Sequence, residues 1–336
     1  MFATGIGRIA EAKAAAWFGD AALDHLKLSS SALTIPVPVA GAPISMYRGH
    51  VVPRLAGGMG FASLADLISE AQTNGKRQDF RYYQVGSANS LSGLSAWLAK
   101  ISGNIPLSSE TPAAPPGGTV VSSADANVLK IRNAAAGDTL HLAAFDGVTT
   151  APLGATLLLF DCLWATRVDV ATLPQAVTGA PNRYTGTNAA GNFFSARVFT
   201  ALAATAHNLT VTYVDQAGAA AEAGTAQAVR VSAAQNTTPF TAPQWTYDLN
   251  SPDTGLRNVT NLAISAATTG TVDYFIGHPL ALLPMAGPNQ AFALDGILSA
   301  FNLVKIEDNA APLIEHMFPT AAGSQTHAGS IMFVSG

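Results

Sequence analysis

Two hydrophobic periods divide this chain. Before about residue 110 the apolar positions recur at helical spacing, and after 118 they come in short alternating runs. In RIAEAKAAAWFGDAALDHLKL (8–28), Ile9, Ala16, Leu23 and Leu26 can share one face. Ala, Glu, Lys and Leu dominate there, so a helix is predicted, with Gly19 dividing it. The prolines of TIPVPVAGAPI (34–44) require an extended or looped backbone. Leu64, Leu67, Ile68 and Ala71 then fall at helical spacing behind a capping Ser63, and Asn74-Gly75 ends that helix. A shorter third helix is predicted over 91–101, presenting Leu94, Trp97, Leu98 and Ile101.

TPAAPPGG (111–118) marks the change of pattern, as a linker or a long surface loop. Beyond it TVVSS, VLKIRNA, TLHLAAF, TLLLFDCLWATRVDV, FFSARVFTAL, NLTVTYVD, AQAVRVSA, LAISAA, TVDYFIGHPL and SIMFVSG read as strands. Turn signals at 136–138, 146–147, 216–218 and 268–270 separate them. NLTVTYVD alternates, with Leu209, Val211 and Tyr213 on one face and Thr210, Thr212 and Val214 on the other. It is expected to form a hairpin with AQAVRVSA. One helical insertion is allowed near 289–303, in NQAFALDGILSAF before and after Gly296. The fold class expected is mainly β: an antiparallel, jelly-roll-like sandwich with a smaller helical N-terminal part. The parts are an N-terminal helix and extended arm (1–60), a helical or mixed segment (61–110), the Pro/Gly linker (111–118) and the β-sandwich domain (119–336).

Composition sharpens this picture. Charged residues are 11% of the chain, against roughly 25% in an ordinary soluble domain. Such a surface must be covered by Ala, Ser, Thr, Asn and Gly, which are cheap to desolvate against neighbouring subunits. The net charge of −4, with no Lys/Arg run, argues against nucleic acid as a partner. No stretch reaches the length of an apolar membrane span, so no membrane partner is expected. Met1–Ala16 carries Arg8, Glu11 and Lys13 and lacks an apolar signal core, so synthesis and folding in a cytoplasm are expected. On that expectation the triplets at Asn208, Asn236 and Asn258 are chance glycosylation matches.

Candidate chemistry is thin. GIGRIA (5–10), with Asp24 some way on, formally matches a dinucleotide fingerprint but has no strand before it. LAGGMGF (55–61) lacks the Gly-Lys-Ser/Thr ending of a phosphate loop. Histidines 25, 50, 141, 207, 278, 316 and 327 are scattered singly, outside any metal-ligand spacing. His141 and His278 read as strand residues with one face wet. Cys162, the sole cysteine, sits in LLLFDCLW and reads as a buried inert thiol. There is no Gly-x-Ser-x-Gly elbow.

The carboxylates of the β half are Asp215, Glu222, Asp248, Asp253, Asp273 and Asp295, mostly in turn contexts. A glycosidase would need two of them facing across a groove. Trp164, Trp245, Tyr184 and Tyr247 fit a core or interface better than a sugar platform. The expectation is a non-enzymatic chain with no catalytic, cofactor-binding or metal-binding residues and no cofactor.

Several of these segments together resemble structural proteins of tailed-bacteriophage virions. FASLADLISEAQTNGKRQDFRYY (61–83) is similar to that family's opening helix and basic-aromatic stretch. GATLLLFDCLWATRVDV (154–170) resembles its apolar strand. RYTGTNAAGNFFSARVFTAL (183–202) with NLTVTYVDQAG (208–218) resembles its paired strands. DTGLRNVTNLAISAATTGTVDYFIGHPLALLPM (253–285) and the closing GSIMFVSG (329–336) continue the likeness, which spans most of 60–336. The resemblance implies a head decoration or cement protein, located in a virion assembled in the bacterial host cytoplasm. Its implied partners are further copies of itself, as a homotrimer, and the major capsid protein. The resemblance supplies no catalytic residues. The alternatives are a receptor- or glycan-binding adhesin, with Trp245 and Tyr247 facing solvent, and a tail or neck component.

Overall fold

The computed structural model describes residues 61, 64–73, 75–84, 95–98, 117–125, 128–150, 155–233, 238–240, 246–285, 287–295, 303–317 and 326–336. Two compact units divide the chain, Met1–Ala42 and Pro43–Gly336, and every described residue belongs to the second. The helix over 8–28, the extended stretch 34–44, Ser63, Trp245 and most of 111–118 therefore lie outside the described residues.

Among the described residues one α-helix, α1 (Leu64–Gln72), precedes the strands. In chain order these are β1 (Arg77–Gln84), β2 (Ser95–Leu98), β3 (Thr119–Val120), β4 (Leu140–Thr149), β5 (Ala155–Asp169) and β6 (Gln175–Ala176). There follow β7 (Phe193–Thr200), β8 (His207–Asp215), β9 (Glu222–Ala223), β10 (Gln227–Val229) and β11 (Leu256–Ile264). The remainder are β12 (Thr271–Met285), β13 (Ala291–Asp295), β14 (Val304–Ile306), β15 (Pro312–Met317) and β16 (His327–Ser335). Among the described residues they form three sheets, ordered β1-β16-β4-β13, β10-β8-β11-β6 and β2-β15-β5-β12-β7. β14 also pairs with β4, β9 with β8 and β3 with β5. Every pairing is antiparallel, so the chain is mainly β, as its alternation predicts.

β5 and β12 are the spine. A strand covered on both faces reads as a continuous apolar run, and LLLF in β5 is such a run. Leu157 and Leu159 join the main core, while Leu158, Phe160 and Cys162 join a second cluster with Val121, Val128 and Phe275. Opposite β12 the register skips Leu163, and this bulge lets the consecutive Leu163 and Trp164 both enter the main core. At one end the main core is closed by Phe80, Tyr82, Phe145, Ile331 and Phe333 of the first sheet. At the other end Leu209, Val211 and Tyr213 share one face, as the alternation of NLTVTYVD predicts, and that face is the inward one. The expected β8–β10 hairpin is present, with Gln227 opposite Leu209. Gly277 sits where Phe160 and Phe193 converge, and an added Cβ would lie 2.5 Å from the Phe193 ring.

Helix α1 forms where the apolar stripe places it. Leu67 is buried with Phe61, Ala143 and Val334, whereas Ile68 is exposed. Two helical expectations are corrected. Ser95–Leu98, within the helix predicted over 91–101, is strand β2, with Leu98 opposite Ile314. Ala291–Asp295, within the 289–303 insertion, is strand β13, paired from Ala291↔Val148 to Asp295↔Ala144. There Phe292 and Leu294 pack on the core while Ala291 and Ala293 are exposed, a period of two. In so short a run the two periods are hard to tell apart, and main-chain pairing to a waiting edge decides. β1 and β2 thus share sheets with strands from the C-terminal part of the chain. Among the described residues no helix is long and apolar enough to cross a membrane.

Candidate functional site

Several charged residues of the strands are turned inward and braced. Asp161 stands in the apolar β5 and is fully buried, with its carboxylate accepting from Arg183 Nε, Arg183 Nη2 and the Ala311 N–H. Arg183 also donates to the carbonyls of Val121 and Cys162, pinning the segment before β7 to β3 and β5. Burial pushes the Asp161 carboxyl upward, and Arg183 pulls it back. Beside it, burial raises the Cys162 thiol well above its ordinary range, so the thiol is inert, as its apolar setting predicts.

A second set runs straight across three strands. Arg167 of β5, Asp273 of β12 and Arg197 of β7 are register partners. Arg167 reaches Asp273 through Nε at 2.6 Å and Nη2 at 3.1 Å, and Arg197 Nη2 lies 3.4 Å from the same carboxylate. The Arg167 guanidinium lies over the Phe199 ring, 3.4 Å from its centroid. Burial lowers the Arg197 guanidinium and Asp273 offsets this.

The third set involves His278 and Tyr184, whose rings stack at 3.8 Å between centroids and 7° between planes. Asn192 donates through Nδ2 to the carbonyls of Tyr184 and Leu256. Its Oδ1 therefore accepts, so His278 Nδ1, at 2.8 Å, carries a proton. His278 is buried, not half-wet as the sequence suggests. His141 is likewise buried, against Phe61, and burial lowers its pKa. Both correct the same expectation: a His on a strand covered by another layer has no wet face.

Among the described residues, three carboxylates come together at the end of β8. Asp215, Glu222 and Asp253 each offer an oxygen, all within 4.8 Å of one another. Asp215 Oδ1 already accepts from the N–H groups of Gly218 and Ala219, the turn role expected of it. Tyr213 Oη donates to Asp253 at 2.5 Å and accepts from the Asn250 N–H at 2.9 Å. Glu222 is raised above the usual carboxylate range, first by its hydrogen bond with Asp253 and then by burial and repulsion. The same three oxygens could hold a hard cation only with further donors, since calcium takes about 6–8 oxygens. Asp248, Asp273 and Asp295 do not join this cluster.

The described aromatic residues weighed as a sugar platform, Trp164, Tyr184 and Tyr247, are all buried. Trp164 is fully buried and donates from Nε1 to the Thr178 carbonyl. Gly118, with φ of +96°, lies so close to that indole that a Cβ would overlap it. Tyr184 stacks under His278, and Tyr247 packs edge-on to Phe194 while donating to the Thr225 carbonyl. Tyr247 is only 3% exposed, which removes one of the two rings an adhesin was expected to display.

The sequence reading missed the Asp161–Arg183 and Arg167–Asp273–Arg197 sets. Their signal was present: single charges inside strongly apolar strands must find partners, because an unpaired buried charge costs several kcal/mol. No family model matches the sequence, and no curated protein matches it. Among solved structures, the chain is similar to the VP2 subviral particle of infectious bursal disease virus, at 9% identity and a TM-score of 0.17. That alignment covers 77% of this chain and 80% of the other. The Gx strain of the same virus aligns at 9% identity and a TM-score of 0.15, over 76% and 80%. A likeness this distant carries no argument about function.

Proposed function

We propose that this chain is a non-enzymatic structural protein of a tailed-bacteriophage virion, acting on the head as a self-assembling decoration or cement protein. The observation that carries the reading is where the polar chemistry goes. Asp161, Arg183, Arg197, Asp273 and His278 are all buried and brace the sheets. With charged residues only 11% of the chain, much of the surface falls to small and hydroxyl side chains. Such surfaces lose little on leaving water and suit contacts repeated many times over a shell. The segments that resemble tailed-phage virion proteins support the same reading.

On this reading the chain forms a trimer that sits across junctions of the major capsid protein. Each contact has modest affinity, because association entropy opposes burial, and many copies acting together resist outward pressure. The test is light scattering on the purified chain, followed by co-sedimentation with emptied phage heads. A trimer that sediments with heads supports the proposal. A chain that stays monomeric at high concentration and ignores heads overturns it.

A further inference from the structure

Strand β1 is an edge. Among the described residues it pairs only with β16, and no strand lies on its other side. Which of its main-chain groups face outward follows from the ladder. The Ser335 N–H donates to the Lys76 carbonyl, and Lys76 and Ser335 are register partners by extension of Arg77↔Val334. In an antiparallel ladder the residues that exchange bonds with one neighbour alternate with those that face the other side. Gln78, Phe80 and Tyr82 therefore bond to β16, and the N–H and C=O groups of Arg77, Asp79, Arg81 and Tyr83 point to the open edge. At the Arg77 end the edge is capped in part, since Arg132 Nη2 reaches the carbonyls of Gly75 and Arg77. Asp79 and Arg81 are left open.

The side chains on that edge select a partner. Arg77, Asp79 and Arg81 are all exposed on one face, where Arg77 Nε lies 2.7 Å from Asp79 and leaves Arg81 the charge to be matched, while Gln78, Phe80 and Tyr82 are buried on the other. Arg-x-Asp-x-Arg is complementary to itself when two copies run antiparallel about a two-fold axis at Phe80. Asp79 then lies opposite Arg81 of the second copy, and Arg81 opposite its Asp79. A shift that centres the axis on Asp79 sets Asp against Asp and Arg77 against Arg81, which repel. A shift to Arg81 sets Arg against Arg. Charges of one sign would simply blunt an edge, whereas this arrangement blunts every register but a few.

We infer that β1 is a self-recognition edge, joining two copies of this chain into one continuous antiparallel sheet with Asp79 and Arg81 exchanging main-chain bonds across the axis. This inference rests on the assembly reading for its setting and deepens it by naming the surface. A two-fold contact of this kind links one trimer to the next and is separate from the contact that closes a trimer.

The experiment is amide hydrogen exchange on the full chain at rising concentration, read beside light scattering. The Asp79 and Arg81 amides should slow as association proceeds, while those of Gln78, Phe80 and Tyr82 are protected at every concentration. Arg81→Asp should weaken the two-fold contact about tenfold or more. Combining it with Asp79→Arg should restore the contact, because the swapped pair is again complementary. These exposed sites leave the fold intact, which the unchanged Phe80 and Tyr82 protection verifies. Association with fast Asp79 and Arg81 amides overturns the edge contact and leaves the assembly reading standing. A chain that never associates overturns both.

Discussion

Arg183 closes on Asp161 with Nε and Nη2 each 2.9 Å from a different carboxylate oxygen, at a site with almost no access to water. Removing one member of such a pair leaves the other charge buried. Arg183→Met is expected to cost about 3–5 kcal/mol, read as a lower urea midpoint at unchanged slope. Adding Asp161→Leu to it should recover part of that loss, because no buried charge then remains.

His327 gives the fold an acid-sensitive point. It stands at the start of β16 opposite Thr149 and Gln84, and burial lowers its pKa from 6.5 to about 4. Since the folded value lies below the unfolded one, the unfolded chain binds the proton first as pH falls. Stability is therefore full above about pH 6.5 and drains away toward about pH 4, by roughly 3 kcal/mol. His327→Gln should flatten that slope in thermal melts taken across the window. An unchanged slope would remove His327 as its source.

Glu222 works in the opposite sense. Its hydrogen bond with Asp253 raises its pKa, so its contribution is complete below the ordinary carboxylate range and is lost as pH rises through the raised value. Glu222→Gln keeps a hydrogen bond to Asp253 without the repulsion. The variant should melt higher than the parent near neutral pH and show less dependence on pH above about 4.5. A lower melting temperature at neutral pH would refute a net repulsion on Glu222 in this cluster.

Gly277 is a packing position. Its Cβ would fall 2.5 Å from Phe193 and 2.8 Å from Phe160, so Gly277→Ala forces two buried rings apart. The expected loss is about 1–3 kcal/mol by chemical denaturation. Phe193→Leu in the same chain should return part of it by making room.

What could be read from the chain was what repeats along it. The alternation in NLTVTYVD separated the two faces of β8, though not which one is buried, because each inward residue is separated from the next by one outward residue. The helix over Leu64–Gln72 was equally plain, since Leu67 and Ala71 recur at helical spacing against one sheet. Ser95–Leu98 and Ala291–Asp295 were misassigned because their form is set by an edge elsewhere in the chain, β15 for one and β4 for the other. The polar sets were invisible for a similar reason. Asp273 meets Arg167 and Arg197 only through register across three strands, and nothing in the local sequence of any one of them names the other two.

The pairing of β1 with β16 has a bearing on how the molecule is made. Residues 77–84 leave the ribosome early, and the strand that completes their sheet, 327–335, emerges only after everything between them. During translation the apolar side of β1 can meet β4 through Tyr82 and Phe145, but Phe80 lacks its Phe333 neighbour until β16 emerges. A stalled or truncated product lacking β16 would leave Phe80 without that cover. Such fragments should seek chaperones or aggregate, while the finished chain closes the sheet in one late step.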